Sequence, residues 1–425
     1  MLYYIILVIL FSLLLILNLS WIFIFFFAKR RKYSQNFDPP VSVLLPAHNE
    51  EEVIEDTIKS ILSSDYKNDI EIVVINDGST DNTEKIVKKL QKKDKRIKLL
   101  KTNHVGKARA LNFGAKKAKY DYLIFLDADS VLEKNTIREI IRPLQDPKIA
   151  ASSGSVRVKI TKNPLTWFQD FEYILSSGWR YLCSLINAVS VLPGFFATKK
   201  KIFLEIGGFE ADTLTEDFDI TLRFKKHGYE VSVNPDAVMY TTVPSNLKTL
   251  ARQRIRWGRG NLQVIKKHKD MLFSKKHKFL GYYILPTHLF WYIFSLLYLP
   301  SVLYWMIGDY YKYFYSTGNS LSKDALLFFF KWICSYGMFD LMYKVFSGIY
   351  QLHLLLLITI INYLAAITYN ILLFSRMKKL RVIHLLAYLF IFPYYLFIIL
   401  VQFITVIYES INFLMKKPSE NKWAK

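Results

Sequence analysis

Residues Leu2 to Phe27 carry no charged side chain. The run is longer than the roughly 20 residues a helix needs to cross the hydrocarbon core of a bilayer. Three later runs, Gly281 to Gly308, Val345 to Ser375 and Val382 to Tyr408, also lack Asp, Glu, Lys and Arg and are long enough to span. A chain built this way must satisfy every backbone group of those runs internally, so helices are expected there. The first run has no basic residue before it and no small-x-small cleavage pattern after it, which favours a retained span over a cleaved leader. "AKRRK" (Ala28 to Lys32) follows and places that side in the cytoplasm. Ala325 to Lys344 is interrupted by Lys331 and Asp340. If it crossed, "RMKKLR" (376 to 381) would lie outside, against the positive-inside tendency, and the tail "KKPSENKWAK" inside.

Between the runs the pattern changes. The expected organisation is an N-terminal span over 1–28, an α/β domain over 29–279, a C-terminal membrane region over 280–410 and a basic tail over 411–425. With 52% hydrophobic and 16% aromatic residues the chain is too apolar for an ordinary soluble protein, while its charged stretches are too many for a membrane bundle alone. The net charge of +22 does not point to nucleic acid. Lys and Arg are spread through helices and gather where chain meets membrane, so membrane lipids and a polyphosphate ligand account for them. Cys183 and Cys334 lie far apart and offer neither a zinc site nor a disulfide framework.

The α/β domain opens with "VSVLLPAHNEEEVIEDTIKSIL", an apolar run stopped at Pro46 and continued by apolar residues at helical spacing. "IEIVVINDGSTDNTEKIVKKL" repeats strand, tight turn and helix, "RIKLL" with "GKARALNFGAKKA" makes a third unit, and "YDYLIFLDADS" supplies a fourth strand. Right-handed crossovers make this a doubly wound, mostly parallel sheet. In such sheets ligands bind beyond the carboxyl ends of the strands, where Glu50, Asp77, Asp127 and Asp129 all fall. Each acid alone is a turn or capping residue; acids at three strand ends facing one edge are harder to explain that way. Asp127 and Asp129, one small residue apart, suit a divalent Mg2+ or Mn2+ that shares its shell with substrate phosphates. No Walker or dinucleotide-type glycine loop is present, which argues against an ATPase or a dehydrogenase.

"PAHNE" (Pro46 to Glu50), "NDGSTDNT" (Asn76 to Thr83), "GKARALN" (Gly106 to Asn112) and "LDADS" (Leu126 to Ser130) resemble the family 2 glycosyltransferases, nucleotide-sugar enzymes of GT-A fold. The resemblance implies that Ala47, Glu50 and Asp77 hold the nucleotide, that Lys107 and Asp127 lie beside it, and that Asp127 and Asp129 hold the metal. "LTEDFDITLRFKKHGYEV" and "RQRIRWGRGN" add Thr215-Glu216-Asp217 and the spacing Q-x-x-R-W at Gln253, Arg256 and Trp257. These are similar to the membrane-integrated synthases of poly-N-acetylglucosamine, hyaluronan, chitin and cellulose. By that resemblance Asp217 is the catalytic base and Glu216 serves the acceptor side. Arg256 stabilises the departing diphosphate, Trp257 faces a sugar, and Gly194 in "PGFFATKK" belongs to an acceptor-side loop. Thr215 is also expected to cap a helix, with Glu216 at its positive end. "PLTWFQDFEYILSSGWRYLCSLIN" (Pro164 to Asn187), aromatic and sparsely charged, reads as an interfacial helix.

The expectation is therefore an inverting membrane glycosyltransferase, cytoplasmic in its catalytic domain. It would transfer a sugar from a UDP-sugar, preferably UDP-N-acetylglucosamine, to a growing β-linked polysaccharide and pass that polymer through its own spans. The alternative is a non-processive enzyme with a lipid acceptor, like the ceramide glucosyltransferases or polyprenyl-phosphate sugar transferases. A catalytically inert transporter or scaffold of the same fold is disfavoured, because every acid the chemistry needs is present. No residue pattern specifies an accessory subunit.

Overall fold

The computed structural model describes residues 2–318, 322–377 and 380–415. Helix α1 (Leu2–Phe27) leads to strand β1 (Val41–Ala47), α2 (Ile54–Leu62), β2 (Ile70–Asp77), α3 (Thr83–Lys93), β3 (Ile97–Thr102), α4 (Lys107–Lys117), β4 (Tyr122–Leu126), β5 (Val131–Leu132) and α5 (Thr136–Ile141). Then come β6 (Ile149–Val158), α6 (Pro164–Leu185), β7 (Phe195–Lys199), α7 (Lys200–Glu205), α8 (Glu216–Lys226), β8 (Glu230–Thr241) and α9 (Leu247–Lys267). The C-terminal part is helical: α10 (Leu285–Thr317), α11 (Lys323–Ile333), α12 (Tyr336–Phe346), α13 (Leu354–Met377), α14 (Val382–Leu389) and α15 (Ile391–Leu414).

The strands form one sheet in the order β3-β2-β1-β4-β7-β6-β8-β5. The first four pair in parallel, as the strand-helix repeats require; β7 lies antiparallel between β4 and β6, and β5 antiparallel on β8. Both faces are buried, so the central strands are apolar at most positions, Ser42 of β1 and Glu71 of β2 being exceptions within them. Leu44, Val73, Ile75 and Phe125 point to the side covered by α4, α6 and α8; Val43, Leu45, Ile72 and Val74 point to the side covered by α2, α3 and α5.

Four helical segments, Leu2–Phe27, Leu280–Tyr315, Leu354–Met377 and Ile391–Asn412, are long and apolar enough to cross a membrane. Helix α10 runs antiparallel to α1, since Tyr283 meets Ser20 while the Tyr3 hydroxyl donates to the Leu297 carbonyl at 3.5 Å. Helix α13 runs parallel to α1: the Tyr4 ring lies 6.1 Å from that of His353, and further along Asn362 Nδ2 donates to the Phe11 carbonyl at 2.7 Å. The interrupted stretch is two short helices, α11 and α12, and the residues that interrupt it pair with each other, Lys331 to Asp340 at 2.8 Å. The run from Val382 does not continue as one helix. Its first part, α14, is held against the α/β domain because His384 Nε2 meets the buried Asp170 carboxylate of α6 at 2.8 Å, and the long helix starts at Ile391. The tail from 416 onward and Lys378–Lys379 lie outside the described residues.

Helix α6 packs on the sheet with one face and on α13 and α14 with the other, so its aromatic face is covered by the helical bundle. Asp170 also accepts both Arg157 Nε at 3.0 Å and Arg157 Nη2 at 2.8 Å, joining sheet, α6 and α14 in one buried network.

Candidate active site

The loops after β1 and β2 hold each other. Asn49, at φ 57°, receives the Thr80 N–H on its side-chain oxygen at 2.8 Å and gives its own N–H to Ser79 Oγ at 3.0 Å. The Glu50 N–H donates to Thr83 Oγ1 at 2.8 Å, which leaves the Glu50 side chain at the strand-end edge just past Ala47. Asp77 is buried, and its carboxylate accepts the N–H groups of Val105 and Gly106 at 2.8 Å each and the Thr102 hydroxyl at 2.7 Å. The immediate work of this carboxylate is to set the turn that starts α4 at Lys107. Gly106, at φ 88°, takes a left-handed conformation there that a side chain would oppose.

Lys107 is the hub of the site. Its ammonium lies 2.7 Å from Asp127 Oδ1 and 3.2 Å from Glu216 Oε1, so it ties the end of β4 to the start of α8. Those carboxylates hold it charged, well above the usual lysine range, despite its burial. A narrow cavity of about 10 Å³ is lined by Lys107, Asp127, Gly194, Glu216 and Asp217 over a floor of Phe125, Phe196 and Phe209. Gly194 is required by close approach: a Cβ there would lie 2.4 Å from Asp127 Oδ2.

Two carboxyl groups titrate far from their ordinary values. Burial, then the neighbouring Glu216, pushes Asp217 up to about 7, against the pull of Lys107 and Arg256. Burial, then the charges of Asp127 and Glu50, pushes Asp129 up to about 6. Both belong to one electrostatic neighbourhood that runs from Glu50 through Asp129 and Asp127 to Lys107, Asp217 and Arg256.

Helix α9 is locked onto the Leu214–Thr215 loop by one face. Arg256 Nη1 donates to the Leu214 carbonyl at 3.3 Å, and Gln263 Oε1 accepts the Leu214 N–H at 3.0 Å. Between them Gly260 lies so close to Thr215 that a Cβ would meet its Cγ2 at 2.5 Å. Gln253 and Trp257 extend the same face, and the Arg254 guanidinium stacks 4.4 Å above the Trp257 ring. Thr215 stands at the N-cap position of α8 but does not cap it. Its hydroxyl is pressed against Gly260 and has no hydrogen-bond partner; Asp217 Oδ1 takes the Phe218 N–H at 2.8 Å instead.

Residues that the motifs left unassigned complete the site. Asn112 exchanges two hydrogen bonds of 2.8 Å with the backbone of Phe209, which fixes the cavity floor. Arg180 of α6 is buried and answers the charge of Asp217 from the bundle side, its guanidinium brought down to about 10 by that burial. Asn112 lies inside a quoted motif, but its partner is 97 residues away. A second acidic group, Glu210, Asp212 and Asp219, could in principle hold a metal. The Lys267 ammonium already sits within 2.6 to 2.9 Å of all three, which makes the group an ion-pair tie between α8 and α9.

The sheet order, the acids at its strand ends and the flanking apolar helices define a membrane-associated, nucleotide-sugar-type α/β fold. Residues 42–207 match the model of glycosyl transferase family 2. The poly-β-1,6-N-acetyl-D-glucosamine synthase of Staphylococcus aureus strain COL is 33% identical over 293 residues, 66% of this chain and 70% of that protein. The Staphylococcus epidermidis synthase of the same name is 35% identical over 249 residues, 58% of this chain and 60% of that protein. The mannosyltransferase PcManGT from Pyrobaculum calidifontis, solved in complex with GDP-Man and Mn2+, superposes with a TM-score of 0.57 at 21% identity, over 86% of this chain and 99% of that one. The chain belongs to glycosyl transferase family 2 and is a glycosyltransferase.

Proposed function

We propose that this enzyme transfers N-acetylglucosamine from UDP-N-acetylglucosamine to the growing end of a β-linked polysaccharide, with inversion at the anomeric carbon. The observation that carries the reading is the single cavity in which Lys107, Asp127, Glu216 and Asp217 meet, in a chain one third identical to poly-β-1,6-N-acetyl-D-glucosamine synthases.

Asp217 takes the proton from the acceptor hydroxyl as that oxygen attacks the anomeric carbon. A partly buried carboxylate that ionises near neutrality suits this step, because its basicity matches the working pH. Glu216, held by Lys107, orients the acceptor side. Arg256 offers a planar, permanently charged fork to the departing diphosphate. Glu50 and Ala47 border the uridine, and Asp77 shapes that pocket through the turn it holds.

Asp127 and Asp129 fit a divalent cation: burial and the nearby charges of Asp127 and Glu50 oppose the ionisation of Asp129, and a cation would relieve that repulsion. When bound, Mg2+ or Mn2+ neutralises charge on the diphosphate. Trp257, covered on one side by Arg254, offers the rest of its indole to a sugar.

The catalytic domain is cytoplasmic in this reading. The antiparallel α10 and parallel α13 return Arg376 to the side of Arg30 and Arg31, which satisfies the positive-inside tendency at both places. The test uses purified full-length protein with labelled UDP-sugars and Mg2+ or Mn2+. A high-mass, glycosidase-sensitive product made from UDP-N-acetylglucosamine is expected. A single-sugar glycolipid as sole product would overturn the polymer assignment.

A further inference from the structure

A second cavity, of about 330 Å³, shares no lining residue with the catalytic one. It opens where two bilayer-length helices finish side by side, α1 at Phe27 and α13 at Met377. Arg30, Arg31 and Lys32 follow α1 directly, Arg376 sits in the last turn of α13, and all four line the cavity together with Arg142 from the catalytic domain.

Only two carboxylates, Glu139 and Asp236, share that lining. Arg142 pairs with Glu139, Arg376 with Asp236 at 3.5 Å, and Arg31 with Glu230 and, at 3.8 Å, Asp146. Among the described residues no carboxylate pairs with Arg30 or Lys32. Arg142 is 8% exposed, gives Nη2 to Gln35 at 3.2 Å, and has no partner for its Nε. A buried donor left unmet is costly, so its position on a cationic cavity wall favours an acceptor that enters from outside.

Guanidinium forks match the oxygens of phosphate as they do those of carboxylate, and a phosphate answers several cations at once. A phosphate at this depth, beside the last residues of two spans, is that of a lipid headgroup. Tyr181 and Leu185 of α6 line the same cavity, and Tyr181 lies under the Arg376 guanidinium at 5.1 Å. They give the site an apolar rim for the glycerol and first acyl carbons.

We propose that this cavity binds the phosphate of an anionic phospholipid, which fastens the ends of α1 and α13 to the catalytic domain. The test is native mass spectrometry of the purified full chain with short-chain phosphatidylglycerol or phosphatidylcholine. The parent protein retains phosphatidylglycerol preferentially. Arg30→Ala with Lys32→Ala, both exposed and outside the folded core, lowers that retention by about fivefold per charge removed and leaves phosphatidylcholine unchanged. Arg142→Met lowers it as well, with a thermal melt to verify folding. Equal retention of the two lipids, or no change in the double variant, would overturn the site. Displacement of phosphatidylglycerol by inorganic pyrophosphate would assign the cavity to a soluble polyphosphate and overturn the lipid source. None of these readouts depends on sugar transfer.

Discussion

Replacing Gly260 with alanine would place a methyl group 2.5 Å from Thr215 Cγ2 and 2.7 Å from Thr215 Oγ1, where ordinary contact begins at 3.4 Å. Neither neighbour is the loose end of a flexible side chain, so α9 has to move away from the loop by roughly 1 Å. Arg256 and Gln263 ride on the same helix face and touch Leu214, one residue from Thr215 and three from Asp217. A displacement of that size at a reacting centre costs on the order of a hundredfold in rate. The effect on stability is small, because alanine gains about 1 kcal/mol of helix propensity against an overpacking cost of about 1–3 kcal/mol. UDP release by the purified full chain at saturating donor is the assay, with a thermal melt alongside. Gly308→Ala is the control, since a Cβ there meets nothing within 4 Å. If Gly260→Ala turned over within about threefold of the parent while folded, close seating of α9 on the Thr215 loop would not matter to catalysis.

Asp217→Asn should abolish transfer while UDP binding, measured by calorimetry, persists; substantial turnover would refute its role as base. Since the carboxyl titrates at about 7 and must be ionised to accept a proton, kcat should fall about tenfold per pH unit below 7 and level off above it. A flat profile down to pH 5 would contradict the assignment. Asp129→Ala should weaken Mg2+- or Mn2+-dependent UDP binding and leave metal-free binding unchanged, checked by titrating metal at fixed UDP. Arg157→Met removes the cation paired with the buried Asp170, leaving it only His384 and the Val158 N–H, and should destabilise the protein by about 3–5 kcal/mol in denaturant unfolding; an unchanged midpoint would show that the network linking sheet, α6 and α14 is dispensable.

Much of the site was legible because it sits in short motifs. "LDADS" ends a strand, "LTEDF" starts a helix, and strand ends in such sheets face one edge by topology alone. The tethering of Asp77 was not legible, because its carboxylate answers N–H groups from a loop 28 and 29 residues downstream. Thr215 misled for a similar reason. It has the composition of a cap, yet its hydroxyl faces Gly260 on a different helix. The apolar run from Val382 misled because periodicity cannot register a single long-range partner, here Asp170 to His384, that holds its first turns against the catalytic domain.

The chain's own pattern determined its two regimes, its parallel strand-helix repeats and its acids at strand ends, since each follows from local periodicity and turn chemistry. Only the folded molecule decided which charges share a cavity. Lys107 lies 109 residues before Glu216, and what joins them is the packing of α4 and α8 around β4 and β7. The ionisation of Asp217 near neutrality was decided there too. Burial and the nearness of other charges set it, and both are properties of distances in space that spacing along the chain does not encode.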